Sequence, residues 1–99
     1  MDRRKHERAL AILRSLKQNA LIEVEYIDNH SIKDIITRAE ALKQTREEPL
    51  TATTSGYYQA YDRNYLWLSA DKIEEEEDRG QFNVILTKYV VRVTRLKRK

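Results

Sequence analysis

The sequence predicts an α+β, mostly β fold, in which an N-terminal amphipathic helix precedes a small, strongly bent antiparallel β-barrel of about five strands. Three observations predict it. Apolar residues recur at three- and four-residue spacings within residues 2–19, the signature of a helix with one buried face. Period-two alternation takes over at Ile22, Val24 and Tyr26 and returns toward the C-terminus, as in strands with one face packed inward. Between Gly56 and Ile73 most of the aromatic side chains collect in two short runs around a polar turn. Aromatic and β-branched residues suit a pleated, half-buried surface.

The helix predicted over 2–19 rests on Leu10, Ile12, Leu13 and Leu16, with Arg8, Arg14 and Lys17 elsewhere, and Asn19 is a residue type suited to a left-handed cap. The barrel is expected over 21–96. Its first strand contains Ile22-Glu23-Val24-Glu25-Tyr26, and Asp28-Asn29-His30-Ser31 turns the chain. A second strand is expected near Ile32, and the adjacent Ile35 and Ile36 break its alternation, as a bulge would. Residues 43–55 have no periodicity and read as a long exposed loop. The aromatic hairpin follows, turning at Asp62-Arg63-Asn64. A second exposed loop is expected at 74–81, where Glu74 to Asp78 form a solvated charge run. Phe82, Val84 and Leu86, then Tyr89, Val91 and Val93, read as two alternating core strands or one kinked one, and 97–99 is a basic tail.

Ninety-nine residues make a single domain with a small core. Without cysteine there are no disulfides, thiolate metal sites or cysteine nucleophiles. The absence of a long apolar run or a signal-like N-terminus points to a soluble, cytoplasmic chain without membrane association. The net charge of +3 conceals an asymmetry: residues 1–20 carry +4 and residues 81–99 carry +6, against −3 over 21–60 and −4 over 61–80. Basic ends are what phosphate backbones attract.

Catalysis finds no constellation to support it. His6 sits in a basic helix start and His30 in a turn, and two glycines cannot form a phosphate-cradling loop. Asp62 and Asp71 are better read as turn and anchoring residues than as an acid–base pair. The expectation is therefore a non-enzyme with no cofactor and no metal. Its leading function is binding of single-stranded RNA or DNA, with basic termini on phosphates and exposed aromatics stacking on bases. The candidates are Arg3, Arg4, Lys5, Arg92, Arg95, Lys97 and Arg98 at the ends, and Tyr58, Arg63, Tyr65 and Lys72 in the hairpin. Trp67 and Tyr61 are better explained as core. The competing expectation is a protein-interaction or self-assembly module, a homo-oligomer joined through strand edges at Phe82 to Leu86 or Tyr89 to Val93.

Over residues 9–78 the chain resembles the WYL domain, a bacterial regulatory module with an Sm/SH3-like barrel. The match lies in Ile22-Glu23-Val24-Glu25-Tyr26 for that family's first strand, Tyr57-Tyr58-Gln59-Ala60-Tyr61 for its Trp-Tyr-Leu segment, and Ala70-Asp71-Lys72-Ile73 for its Leu-Asp-Arg-Ile end. The resemblance implies the barrel and a role in transcription regulation. The family's ligand-contacting arginines fall here on Leu66 and Ser69, and the proline after its second strand is absent. A shorter segment, Leu86-Thr87-Lys88-Tyr89-Val90-Val91-Arg92-Val93, resembles the last strands of Sm/Hfq-type proteins.

Overall fold

The computed structural model describes residues 3–27, 37–47, 51–74, 76 and 78–97. The expected turn at 28–31, the strand near Ile32, the Ile35–Ile36 bulge, Pro49, Arg98 and Lys99 lie outside the described residues. The described fold is α+β and mostly β: α1 (Arg3–Ser15), β1 (Leu21–Ile27), α2 (Arg38–Glu47), β2 (Thr51–Tyr61), β3 (Tyr65–Ser69), β4 (Phe82–Leu86), a 3₁₀ turn (Thr87–Tyr89) and β5 (Val90–Arg95).

The strands form one antiparallel sheet in the order β4-β3-β2-β1-β5. It is not closed into the expected barrel: β4 and β5 are its two edges. Instead of a strand, α1 lies against β5. Ala9 and Leu13 of α1 join Ile22 and Val24 of β1, Leu66 and Leu68 of β3, Ile85 of β4, and Val90 and Val93 of β5 in one buried cluster. The helix thus covers apolar surface that closure would otherwise cover.

Helix α1 stops at Ser15, whose hydroxyl donates to the Ile12 carbonyl at 2.7 Å. Asn19 adopts the expected left-handed conformation, φ 69°, but in the connection to β1 rather than at the helix end. The loop expected over 43–55 is largely regular structure. Lys43 to Glu47 belong to α2, which begins with Thr37 Oγ1 accepting the Glu40 N–H at 3.1 Å, one half of a capping box. Thr51 to Ser55 are the first half of β2 and pair residue for residue with Ile27 to Glu23. Threonine suits a strand as well as valine does, but it carries no apolar signal.

The aromatic hairpin forms as β2 and β3, with Asp62 Oδ1 accepting the N–H groups of both Asn64 and Tyr65 at 2.8 Å. Its register slips once, leaving Gln59 as an extra residue in β2. Gly56 sits where a Cβ would lie 3.0 Å from the Ser69 carbonyl oxygen and 3.1 Å from Leu68 Cβ, so β3 can approach only a residue without a side chain.

Two parities differ from expectation. In β4, Phe82, Val84 and Leu86 are exposed while Ile85 is buried, the reverse of a core face built on the first three. In β5 a register shift opposite Glu25 and Tyr26 puts Val90 and Val93 inward and leaves Val91 half-buried; Arg92 faces solvent as alternation requires.

Candidate nucleic-acid interface

Helix α1 and strand β5 bring together basic side chains from the two ends of the sequence. Lys5, Arg8, Ala9 and Ile12 of α1 and Val91, Arg92 and Val93 of β5 line a groove of about 190 Å³. That is below the range of about 300–1,000 Å³ typical of small-molecule sites. A second groove follows the same seam, lined by Ser15, Leu16, Lys17, Ala20, Leu21, Arg95 and Leu96. Among the described residues no carboxylate lines either groove; Glu25 stands opposite Arg92 in the β1–β5 ladder.

Side-chain contacts hold the seam at both ends. His6 Nδ1 lies 2.8 Å from the Val90 carbonyl oxygen. A carbonyl only accepts, so this nitrogen carries the proton. The Arg95 guanidinium donates to Ser15 Oγ at the other end. The apolar floor, Ala9 and Val93, is buried by the helix periodicity and the strand parity respectively.

The hairpin turn is tied to the 3₁₀ turn that precedes β5. Thr87 donates its N–H to the Asn64 carbonyl at 3.0 Å and its hydroxyl to the Asp62 carbonyl at 2.9 Å. The 3₁₀ turn then leads into Val90, which His6 holds. The hairpin turn with Arg63 and the 3₁₀ turn with Lys88 are thus joined through Thr87 and Val90 to the start of α1, with Arg3, Arg4 and Lys5. Arg3 forms an exposed ion pair with Glu7 at 3.3 Å, and Lys88 Nζ stands 5.0 Å from the Tyr89 ring centroid.

Of the sequence candidates, Arg3, Arg4, Lys5, Arg63, Tyr65, Lys72, Arg92, Arg95 and Lys97 are exposed. Tyr58 is not available for stacking. It is 8% exposed, and its ring packs against Tyr61 at 6.5 Å between centroids. Its place in β2 opposite Leu68 turns it into the core. Tyr65 is 42% exposed but lies on β3 beside Trp67, at 5.7 Å between ring centroids, and β2 and β1 separate it from the seam. Lys72 sits at the opposite end, in the segment whose Ile73 bonds to Asn19. Arg8 and Lys17 were not among the candidates. The signal for Arg8 was its i, i+3 spacing from Lys5, which puts both on one helix face.

Burial raises the Tyr58 phenol above its ordinary value of 10.0; the neighbouring Tyr61 side chain pushes it further up, and the Tyr61 backbone pulls it partly back. The folded state thus holds this proton more tightly than the unfolded chain. The stability from this is fully present below pH 10.0 and is lost as pH rises through the folded value. Comparing urea midpoints at about pH 9 and about pH 11 should therefore show a steeper alkaline loss in the parent than in Tyr58→Phe. Equal losses would assign the alkaline sensitivity to other groups.

No helix among the described residues is long and apolar enough to cross a membrane, and no cluster of three or more potential metal ligands occurs among them. No protein-family model matches this sequence, and no curated protein or solved structure matches it significantly.

Proposed function

We propose that this chain is a non-catalytic module that binds single-stranded nucleic acid through its backbone, with the α1–β5 seam as the phosphate-contacting surface. One observation carries the reading: Lys5, Arg8 and Arg92, from opposite ends of the sequence, line one groove that contains no carboxylate among the described residues, and Lys17 and Arg95 extend the basic lining along the same seam. A shallow basic track contacts successive phosphates without reading sequence. Arg63 and Lys88, on the two turns that Thr87 joins, add further positive charge. The helix-first order, five antiparallel strands and a 3₁₀ turn between the last two support a distant SH3/Sm-like ancestry, in which the open sheet would be an opened form of that barrel.

The test is fluorescence anisotropy with labelled single-stranded RNA and DNA over a range of salt concentrations. The parent should bind, with affinity falling linearly on a log–log plot against salt. The Lys5→Gln/Arg8→Gln/Arg92→Gln variant should bind more weakly with a slope smaller by about 2, since each lost contact on a single strand removes about 0.7. Its thermal unfolding should be nearly that of the parent, because these charges are exposed. A parent without affinity even at low ionic strength ends the proposal.

A further inference from the structure

The sheet treats its two edges differently. On β5, the Val90 N–H goes to the Thr87 carbonyl and the Val90 carbonyl to His6, while α1 lies alongside and Arg92 and Arg95 place charges on the strand. Those are devices that stop a strand edge from pairing with another chain. Among the described residues the β4 edge, Phe82-Asn83-Val84-Ile85-Leu86, has none of them: no charge, no proline, no bulge against β3, and no helix packed along it as α1 is along β5.

Its backbone parity can be read from the bonds at either end. Ala70 N–H donates to the Gln81 carbonyl and Thr87 N–H to the Asn64 carbonyl, one pair on each side of the β3–β4 ladder. Alternation then assigns Asn83 and Ile85 to bond with β3, and it turns the N–H and C=O groups of Phe82, Val84 and Leu86 outward. The same three residues carry the exposed apolar side chains, at 48%, 53% and 40% exposure. Tyr65 and Trp67, paired with Leu86 and Val84, continue that face on β3.

We infer that β4 pairs with β4 of a second copy of this chain, antiparallel about a two-fold axis at Val84, joining the two sheets into one. In this register Val84 faces Val84 of the second copy and Phe82 faces its Leu86, so every outward backbone group meets a partner and every side-chain pair on that face is apolar. The charges agree with it. Lys88 follows β4, and Glu74, Glu76 and Asp78, with one base, Arg79, precede it. Antiparallel pairing carries each Lys88 toward the acidic segment of the other copy and keeps the two lysines at opposite ends of the seam. A β5–β5 pairing would instead bring Arg92 and Arg95 against their own kind. The inference is independent of the basic seam, because no β4 residue lines either groove.

Sedimentation equilibrium over a concentration series tests it, with three chains compared. The parent should be a dimer. Val84→Lys, which sets two ammonium groups face to face on the axis, should dissociate at least tenfold more readily while keeping the parent's far-ultraviolet circular dichroism. Val84→Cys, the single cysteine in a chain that otherwise has none, should oxidise to a covalent dimer, since directly opposed hydrogen-bonded residues lie about 5.5 Å apart at Cα, within disulfide reach. Asn83→Cys, which would face Ile85 of the second copy, should not. A parent that stays monomeric, a ring or open assembly larger than two, or cross-linking as efficient at position 83 as at 84 would each overturn the inference.

Discussion

Replacing Asn19 with alanine is expected to destabilise the fold by about 4 kcal/mol, which is a large share of the roughly 5–15 kcal/mol that holds a domain together. The side chain closes a node between three segments distant in sequence. Its Nδ2 donates to the Ile73 carbonyl at 2.8 Å, and its Oδ1 accepts the Ile73 N–H at 2.9 Å and Gln59 Nε2 at 2.8 Å. Its backbone N–H reaches the Tyr58 carbonyl at 2.7 Å. Three lost side-chain bonds at about 1 kcal/mol each, plus about 1 kcal/mol for a Cβ at φ 69° without asparagine's local compensation, make up the figure. Asn19→Gly should recover about 1 kcal/mol, since glycine takes that conformation freely. Asn19→Asp should fall between, keeping the acceptor and losing the donor to Ile73. Urea unfolding of the three variants measures this, and a loss under about 1 kcal/mol for alanine would show that the node does not bind the segments together.

The node explains the bulge in β2. The extra residue there, Gln59, also donates to Ser69 Oγ at 2.9 Å, and it accepts from Gln18 Nε2 at 3.0 Å. Ser69, 1% exposed, passes its own proton to the Asp71 carbonyl at 2.6 Å. A fully paired β2 would turn Gln59 away from these partners and leave polar groups buried and unsatisfied.

Leu68→Ala should cost about 2–5 kcal/mol, because Leu68 is 0% exposed in the middle of the cluster and Gly56 already lets its Cβ lie as close to β2 as the backbone allows. Leu42→Ala, on α2 and 41% exposed, should change stability by no more than about 0.5 kcal/mol. Chemical denaturation of the pair separates the two leucines, and similar losses would place α2 in the cooperative core.

Much of this was legible in the residues. The helix start, β1, the aromatic hairpin with Asp62 as its turn residue, and the acidic connection are all local: periodicity, β-branching and side-chain capping act within a few positions. Helix α2 was overlooked although Thr37 and Glu40 have capping-box spacing and Arg38 to Lys43 are good helix formers. None of its described side chains joins the buried cluster, its residues form no apolar stripe, and the stripe is the stronger signal. The basic residues at the chain ends were visible as a charge imbalance, but their meeting on one seam was not.

What the sequence determined alone is the set of elements with a strong period and the charge of its ends, because those properties are written within single turns and strands. The tertiary structure decided the rest. Whether Tyr58 stacks on a ligand or fills the core depends on its partner Leu68, ten residues away. Whether Phe82, Val84 and Leu86 face in or out depends on a register that Leu66 and Ile85 share across β3 and β4. Whether the sheet closes depends on α1 occupying the side of β5. Each is a pairing between distant residues, and strand alternation marks two faces without saying which one is buried.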